Sequence, residues 1–353
     1  MKIGAFYYMW YPGDGSWKEK CCRYNRYNGK PSLGWYDGSD ETIISKHIDM
    51  AKEHGIDFFI VSFNGNSEEI SNIEKLMSIC EKKDFHFCIH YETVNIFEDP
   101  VVLDKLFMDS FVSHVSYLVS EFSKSKSFLK LDNRPVFFIY TSRRIPSKLE
   151  EINILRREIK ERTDSDLFLV GDEIWYSDSK WIGDPDRLKK FDAIYAYNMY
   201  VPETYFGNNR FVGKDFLNFI KPTYNFFHEQ CSSLKISLFP TVIPRYNDES
   251  IRSKKGHYPL LSENGKFFDD YIDFAKKYVS DPYKILLISS FNEWYEDTQI
   301  EPCLCNKSGD DYDKSPGYGY SFLEILLANV KQYILKDYNK DRNIKDNRAK
   351  DEI

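Results

Sequence analysis

No stretch of this sequence approaches the roughly 18 consecutive apolar residues of a membrane-spanning helix. Neither Gly-x-Gly-x-x-Gly after the first apolar segment nor Gly-x-x-x-x-Gly-Lys occurs, which removes the usual nucleotide-binding fingerprints. His-Glu-x-x-His is missing, and the seven His are scattered, so no catalytic metal is expected. Positive charge is short as well: 48 Lys and Arg face 55 Asp and Glu, a net charge of −7. A general nucleic-acid binder wants a basic face, so that class is set aside. Seven Cys do not make a disulfide scaffold. Cys80, Cys88 and Cys231 lie in helix- or strand-like apolar contexts and read as small buried hydrophobes. No internal repeat or linker is visible, and no signal peptide, because Lys2 to Trp10 already reads as a first strand. The expectation is a cytoplasmic monomer, or a secreted or luminal protein if a leader has been removed.

Aromatic residues, by contrast, are abundant: 17% of the 353 residues, with 27 Phe, 26 Tyr and 6 Trp. Flat apolar faces with polar tips suit sugar-binding clefts, although an aromatic-rich core has the same composition. Apolar residues at 42% and charged residues at 29% describe a globular body. Its length fits one large α/β domain or two ordinary ones.

Apolar, non-alternating runs recur along the chain at residues 3–11, 57–63, 85–91, 135–140, 167–170, 192–197, 236–239 and 285–288. Helical patterns separate them: one capped by Asp40 and ended by Gly55, then 67–83, 100–124, 147–162, 185–190, 213–231, 267–278 and 320–335. Strands of this kind belong to a parallel sheet covered on both faces. Eight strand–helix units predict a (β/α)8 TIM barrel with long βα loops, formed by one domain over residues 1–337. A doubly wound open sheet is the runner-up, weakened by the missing glycine fingerprints. From Tyr338 to Ile353 the chain is nearly all charged and amide residues, and a disordered tail is expected.

In such a barrel the residues just after each strand share one rim. They are Tyr8 and Trp10, Asn64, Tyr91 with Glu92, Tyr140, Asp172 with Glu173, Tyr197 with Asn198, Pro244 with Arg245, and Asn292 to Glu296. Aromatic platforms, amides and carboxylates on one mouth suit an oligosaccharide or polysaccharide. Two carboxylic groups are the usual apparatus for cleaving a glycosidic bond. Blander readings stand beside these. Tyr140 and Tyr197 could cap the core, Glu92 and Glu173 could be solvated loop acids, and Arg245 could hold a structural carboxylate. A Glu-x-x-Glu pair such as Glu293 and Glu296 is more often an exposed acidic loop around a packing Trp. Cys21-Cys22 and Cys303-x-Cys305 fall on loops after the first and last strands, where they could approach as zinc ligands or disulfides. Four unrelated thiols are the simpler expectation.

The run from Ile288 to Pro302, Ile-Ser-Ser-Phe-Asn-Glu-Trp-Tyr-Glu-Asp-Thr-Gln-Ile-Glu-Pro, resembles the catalytic segment of glycoside hydrolase family 99. Those endo-α-mannosidases and endo-α-1,2-mannanases read approximately S-F-N-E-W-H-E-G-T-Q-I-E-P there. The aromatic opening Phe6–Pro12, Tyr36-Asp37, His47–Ile56 and the strand ending at Glu92 extend the likeness over about residues 4–325. A related group, the WbsX-type proteins of saccharide clusters, carries a similar N-E-W-x-E-G. The Thr298–Pro302 continuation favours the hydrolase branch.

The resemblance implies retaining, endo-acting cleavage of α-mannosidic links in mannan or a related glycan, without a cofactor. Glu293 would act as base on the sugar's own 2-hydroxyl, giving a 1,2-anhydro intermediate. Glu296 would be general acid and then general base, kept protonated by burial beside Trp294 or Tyr295. Substrate contacts are expected from Tyr8, Trp10, Asn64, Glu92, Tyr140, Tyr197, Asn198, Arg245, Asn292, Trp294 and Tyr295. Three departures from the family pattern leave the choice of sugar open: Tyr295 for His, Asp297 for Gly, and Asn64 for an aromatic residue. The alternatives are a glycan-assembly protein or glycosyltransferase of the WbsX type, and a non-catalytic carbohydrate-binding protein on the same fold.

Overall fold

The computed structural model describes residues 1–24, 30–93, 105–144, 150–175, 182–200, 213–248, 251, 265–304 and 317–351. Its frame is a parallel sheet of β1 (Lys2–Tyr7), β3 (Phe58–Phe63), β4 (His86–Tyr91), β6 (Arg134–Ile139), β7 (Phe168–Asp172), β8 (Ala193–Tyr195), β9 (Ser237–Phe239), β10 (Thr241–Val242) and β11 (Ile285–Ile288). Three short strands stand apart from these parallel ones. β5 (Lys130–Leu131) pairs antiparallel with β6, and β2 (Lys30–Pro31) pairs with β12 (Cys303–Leu304).

The sheet closes on itself through one kinked strand. β9 hydrogen-bonds to β8, and its continuation β10 pairs with β11. Pro240 sits at the break, has no N–H to give a ladder, and accepts from the Leu287 amide at 2.9 Å. β11 then pairs with β1, with Ala5 opposite Ile288 and Lys2 opposite Ile285. The eight expected strands are therefore all present in a (β/α)8 barrel, the seventh divided into β9 and β10.

Side chains along each strand alternate between two apolar layers, as a period of two requires. Ile3, Ala5 and Tyr7 of β1 join Phe59, Val61 and Phe63 of β3 beneath the outer helices. Phe6, Tyr8, Phe58, Ile60, Phe138, Tyr195 and Leu287 fill the barrel interior. Among the described residues the α-helices are α1 (Trp17–Tyr24), α2 (Glu41–Glu53), α3 (Ser67–Lys83), α4 (Lys105–Phe122), α5 (Glu150–Thr163), α6 (Pro185–Leu188), α7 (Lys214–Leu234), α8 (Lys266–Ala275) and α9 (Ser321–Asp351). Local chemistry sets several ends. Asp40 caps α2 by accepting from the Thr42 and Ile43 amides, and Asn66 and Glu69 form a reciprocal capping box on α3.

α9 departs from the sequence reading, being helical through Asp351 where a structureless tail is expected. Its first half buries Phe322, Leu323, Leu326 and Val330, and once those turns are fixed each added residue extends the helix at little cost. The starts of the expected helices at 100 and 147 lie outside the described residues. Among the described residues no helix is long and apolar enough to cross a membrane.

Gly4 shows how tightly the interior is filled. A Cβ there would stand 2.4 Å from the tip of the Phe58 ring. Gly4→Ala is expected to cost roughly 1–3 kcal/mol by overpacking, readable as a lower midpoint in urea unfolding.

Candidate active site

The turn after β11 is tied to the end of β1 from both sides. The Asn292 side chain accepts from the Tyr8 amide at 2.9 Å and donates to the Tyr8 carbonyl at 2.8 Å. The Tyr11 hydroxyl donates to the Asn292 carbonyl at 2.6 Å and accepts from the Trp294 amide at 2.9 Å. Inside the turn, the Glu293 amide donates to Ser290 Oγ at 2.7 Å, and the Ser290 amide to the Thr298 carbonyl at 2.8 Å. Chain segments 284 residues apart are thereby locked side by side.

Below the turn lies a buried polar cluster around Glu301. This carboxylate accepts from Tyr36 Oη at 2.7 Å and Trp294 Nε1 at 2.8 Å, and His47 Nε2 stands 3.1 Å away. Tyr7 Oη closes the chain at 3.0 Å from His47 Nδ1. Trp294 is fully buried, and its indole points into this cluster. It is therefore a strut under the turn rather than a sugar platform. An indole with one N–H finds its best partner in a buried carboxylate.

Above the turn opens a cavity of about 350 Å³, lined by Tyr8, Trp10, His90, Glu92, Tyr140, Tyr197, Ile251, Glu293, Tyr295 and Glu296. Its size lies within the roughly 300–1,000 Å³ of small-ligand clefts. Both acids of the Glu-x-x-Glu pair face it, at the C-terminal ends of the strands where barrels keep their chemistry. A larger cavity of about 530 Å³ lies at the opposite end of the strands, beside Lys2, Asp57 and His86. It is remote from the acid pair.

Of the two acids, Glu293 is the buried one and Glu296 is half-exposed. Burial thus falls more heavily on Glu293, and of the two expected neighbours of Glu296, Trp294 is turned away beneath the turn while Tyr295 lines the cavity with it. Burial drives the Glu293 carboxyl well above the usual carboxylate range, and the neighbouring charge of Glu296 adds to the effect. The Tyr295 amide, donating to Glu293 Oε1 at 2.8 Å, opposes it. Tyr8 and Tyr197 share a hydrogen bond of 2.6 Å between their hydroxyls. Burial first, then neighbouring phenols and carboxylates, keep both phenols protonated. Glu92 is not a solvated loop acid: it is buried, accepting from Ser62 Oγ at 2.8 Å, with His90 Nδ1 at 3.0 Å. Tyr195 Oη holds the other nitrogen of His90 at 2.8 Å.

The aromatic ring of the mouth is built from contacts. Trp10 stacks on Tyr8 at 4.4 Å between centroids and remains 39% exposed, an apolar face open to solvent. Tyr140 meets Tyr197 edge-on at 5.2 Å.

Besides Trp294, four expected contact residues lie outside this cavity's lining. The Asn292 side chain bonds both backbone groups of Tyr8. Asn198 accepts from the Tyr200 amide and does not line the cavity. Arg245 pairs with Asp297 at 2.7 Å, matching its structural alternative. Asn64 lines a second cavity of about 440 Å³, which shares Trp10 with the first, and it is bonded to Glu69. Glu173 is a buried partner of Arg187 at 2.6 Å rather than a loop acid. His90 and Ile251 are lining residues that the sequence reading passes over, and His90 is embedded in the apolar run of β4. Its position two residues before Glu92 on a strand, hence on the same face, was the available signal. Cys21 and Cys303 are buried in one apolar cluster, while Cys305 and the Cys22 side chain lie outside the described residues.

Acids facing stacked aromatics at a barrel mouth are the equipment of carbohydrate-active (β/α)8 proteins, and this chain falls in that class. It belongs to glycosyl hydrolase family 99, whose model matches residues 21–333. The human glycoprotein endo-alpha-1,2-mannosidase-like protein is 26% identical over 294 residues, covering 79% of this chain and 58% of its own length. The rat glycoprotein endo-alpha-1,2-mannosidase is 24% identical over 327 residues, covering 86% and 63%. The chain thus spans about three-fifths of the length of these relatives. Among solved structures, the family 99 endo-alpha-mannosidase from Bacteroides thetaiotaomicron superposes with a TM-score of 0.72 at 23% identity, covering 97% of this chain and 98% of that one. A family 5 mannosidase from Rhizomucor miehei follows the same barrel at a TM-score of 0.51 and 10% identity, covering 92% and 91%.

Burying an ionised Glu293 opposes folding. Because its folded-state pKa is raised, its stability contribution is complete below the unfolded value near 4.5 and is lost as pH rises through the folded value. Glu293→Gln is therefore expected to be more stable than the wild type at neutral pH. The difference should shrink toward pH 4, as followed by chemical denaturation across that range.

Proposed function

We propose that this chain is a retaining, endo-acting glycoside hydrolase that cleaves α-mannosidic links in a polysaccharide or glycan. The observation that carries the reading is the placing of Glu293 and Glu296 in one aromatic-lined cavity with unlike surroundings. Glu293, buried and raised in pKa, has the character of a base that gains from taking a proton. Glu296, half-exposed, can exchange its proton with a leaving group and with water.

In the first step Glu293 removes the proton of the sugar's 2-hydroxyl, and O2 displaces the leaving group at C1. The leaving oxygen takes the proton of Glu296, giving a 1,2-anhydro sugar. In the second step Glu296 deprotonates a water that attacks C1 from the face the leaving group left. O2 then recovers its proton from Glu293. Two inversions return the original configuration. No carboxylate bonds to carbon, so the spacing rule for an enzyme nucleophile does not govern the pair. Tyr8 and Tyr197, held as neutral hydroxyls, are hydrogen-bond partners for the sugar, and Trp10 offers it an apolar face. The second cavity beyond Trp10, carrying Asn64, would take the next sugar of the chain. The family names of the relatives point to mannose, and the Asn64 and Tyr295 positions are where a different sugar would be selected.

A panel of α-mannosyl oligosaccharides tests the reading. Wild-type protein is expected to cleave at least one internal link. Glu296→Gln should lower the rate by about 10²–10⁴-fold while ligand affinity, measured by calorimetry, stays within about threefold. The rate should also fall on acidification, with its midpoint above the ordinary carboxylate value, as Glu293 takes up a proton. A wild type inert to the whole panel, yet binding its members, would favour the carbohydrate-binding alternative.

A further inference from the structure

Asp297 directly follows Glu296 and has a left-handed backbone, with φ of 56°. Asp tolerates that region better than most side chains do, yet it is held there by more than its own preference. Its carboxylate is buried and lies 2.7 Å from the Arg245 guanidinium, itself only 8% exposed. Gln299 Nε2 donates to the same oxygen at 3.2 Å. The guanidinium also sits over the Tyr318 ring at 4.7 Å and the Phe322 ring at 5.8 Å. Tyr318 in turn donates to the Glu301 carbonyl at 2.5 Å. Two residues along from Arg245, the Asn247 amide donates to the Glu296 carbonyl at 2.8 Å. The loop after β10, the turn carrying Glu296 and the start of α9 therefore meet at one buried ion pair. A buried pair seldom adds net stability, but it fixes geometry strongly, because either charge left alone is costly.

We propose that Arg245 and Asp297 are positioning residues, a clasp that sets where Glu296 stands over the cavity by locking its turn to the loop after β10. The proposal rests on the reading of Glu296 as the acid–base group. Neither clasp residue lines the cavity, so neither touches substrate. Loosening the clasp lets Glu296 drift without changing the aromatic walls. The consequence falls on turnover and spares binding, since a displacement of about 1 Å can cost on the order of 10²-fold in rate.

Asp297→Asn separates the ion pair from the backbone, because Asn accepts positive φ as readily as Asp does. The expected result is a kcat lower by about 10- to 100-fold with KM within about twofold. Faster hydrogen exchange at the Asn247 amide should accompany it. Asp297→Gly, which is free of any strain at this φ, should behave alike. Arg245→Gln combined with Asp297→Asn should be no worse than the more damaging single change, as members of one unit are not additive. An unchanged kcat, or a lowered kcat with unchanged Asn247 exchange, would overturn the proposal. A wild type that cleaves no α-mannoside would defeat the functional reading instead, and Asn247 exchange in the variants would still decide whether the clasp exists.

Discussion

The pairing of the first strand with the last is the constraint on which the site depends. β1 and β11 run in register from Lys2–Ile285 to Ala5–Ile288, and the Asn292 side chain repeats the strand ladder one step beyond it by bonding both backbone groups of Tyr8. Tyr11 extends the seam by gripping Asn292 and Trp294. The aromatic opening and the acidic turn are far apart in sequence and become one wall only when the barrel closes. Closure depends in turn on the strand broken at Pro240, which meets β8 with one half and β11 with the other.

Acids that look alike in sequence acquire different properties from their surroundings. Glu301 is buried among Tyr36, Trp294 and His47, which supply it with donors and make it a structural anchor. Asp297 is neutralised by Arg245. Glu293 is equally buried and faces a cavity; its burial first, and then the charge of Glu296 beside it, raise its pKa. Such a contrast is what separates a group kept for chemistry from one kept for architecture. The site is costly in stability at one carboxylate, and its neighbours hold the turn in place.

Much of the barrel was legible because buried parallel strands read as short apolar runs and their helices carry caps. Asp40 marks the start of α2 in the sequence as its N-cap. The acid pair was legible because it directly follows a core strand. Directions of side chains were not. Trp294 lies between the two acids in sequence and yet points to the opposite side, since the turn reverses there to deliver its indole to Glu301. Arg245 looked like a rim cation, and only the fold brings Asp297, 52 residues later, against it. The charge-rich residues after Tyr338 carry no hydrophobic period, so the helix there was invisible to patterning: it continues one begun by Phe322, Leu323 and Leu326.

The account stands on two unlike acids dividing the work of a double displacement without an enzyme nucleophile. The most direct measurement is the anomeric configuration of the first product released from an α-mannosyl oligosaccharide, followed by proton NMR before mutarotation. The account predicts the α-anomer appearing first and relaxing to the equilibrium mixture. Initial release of the β-anomer would mean a single displacement by water and would contradict it.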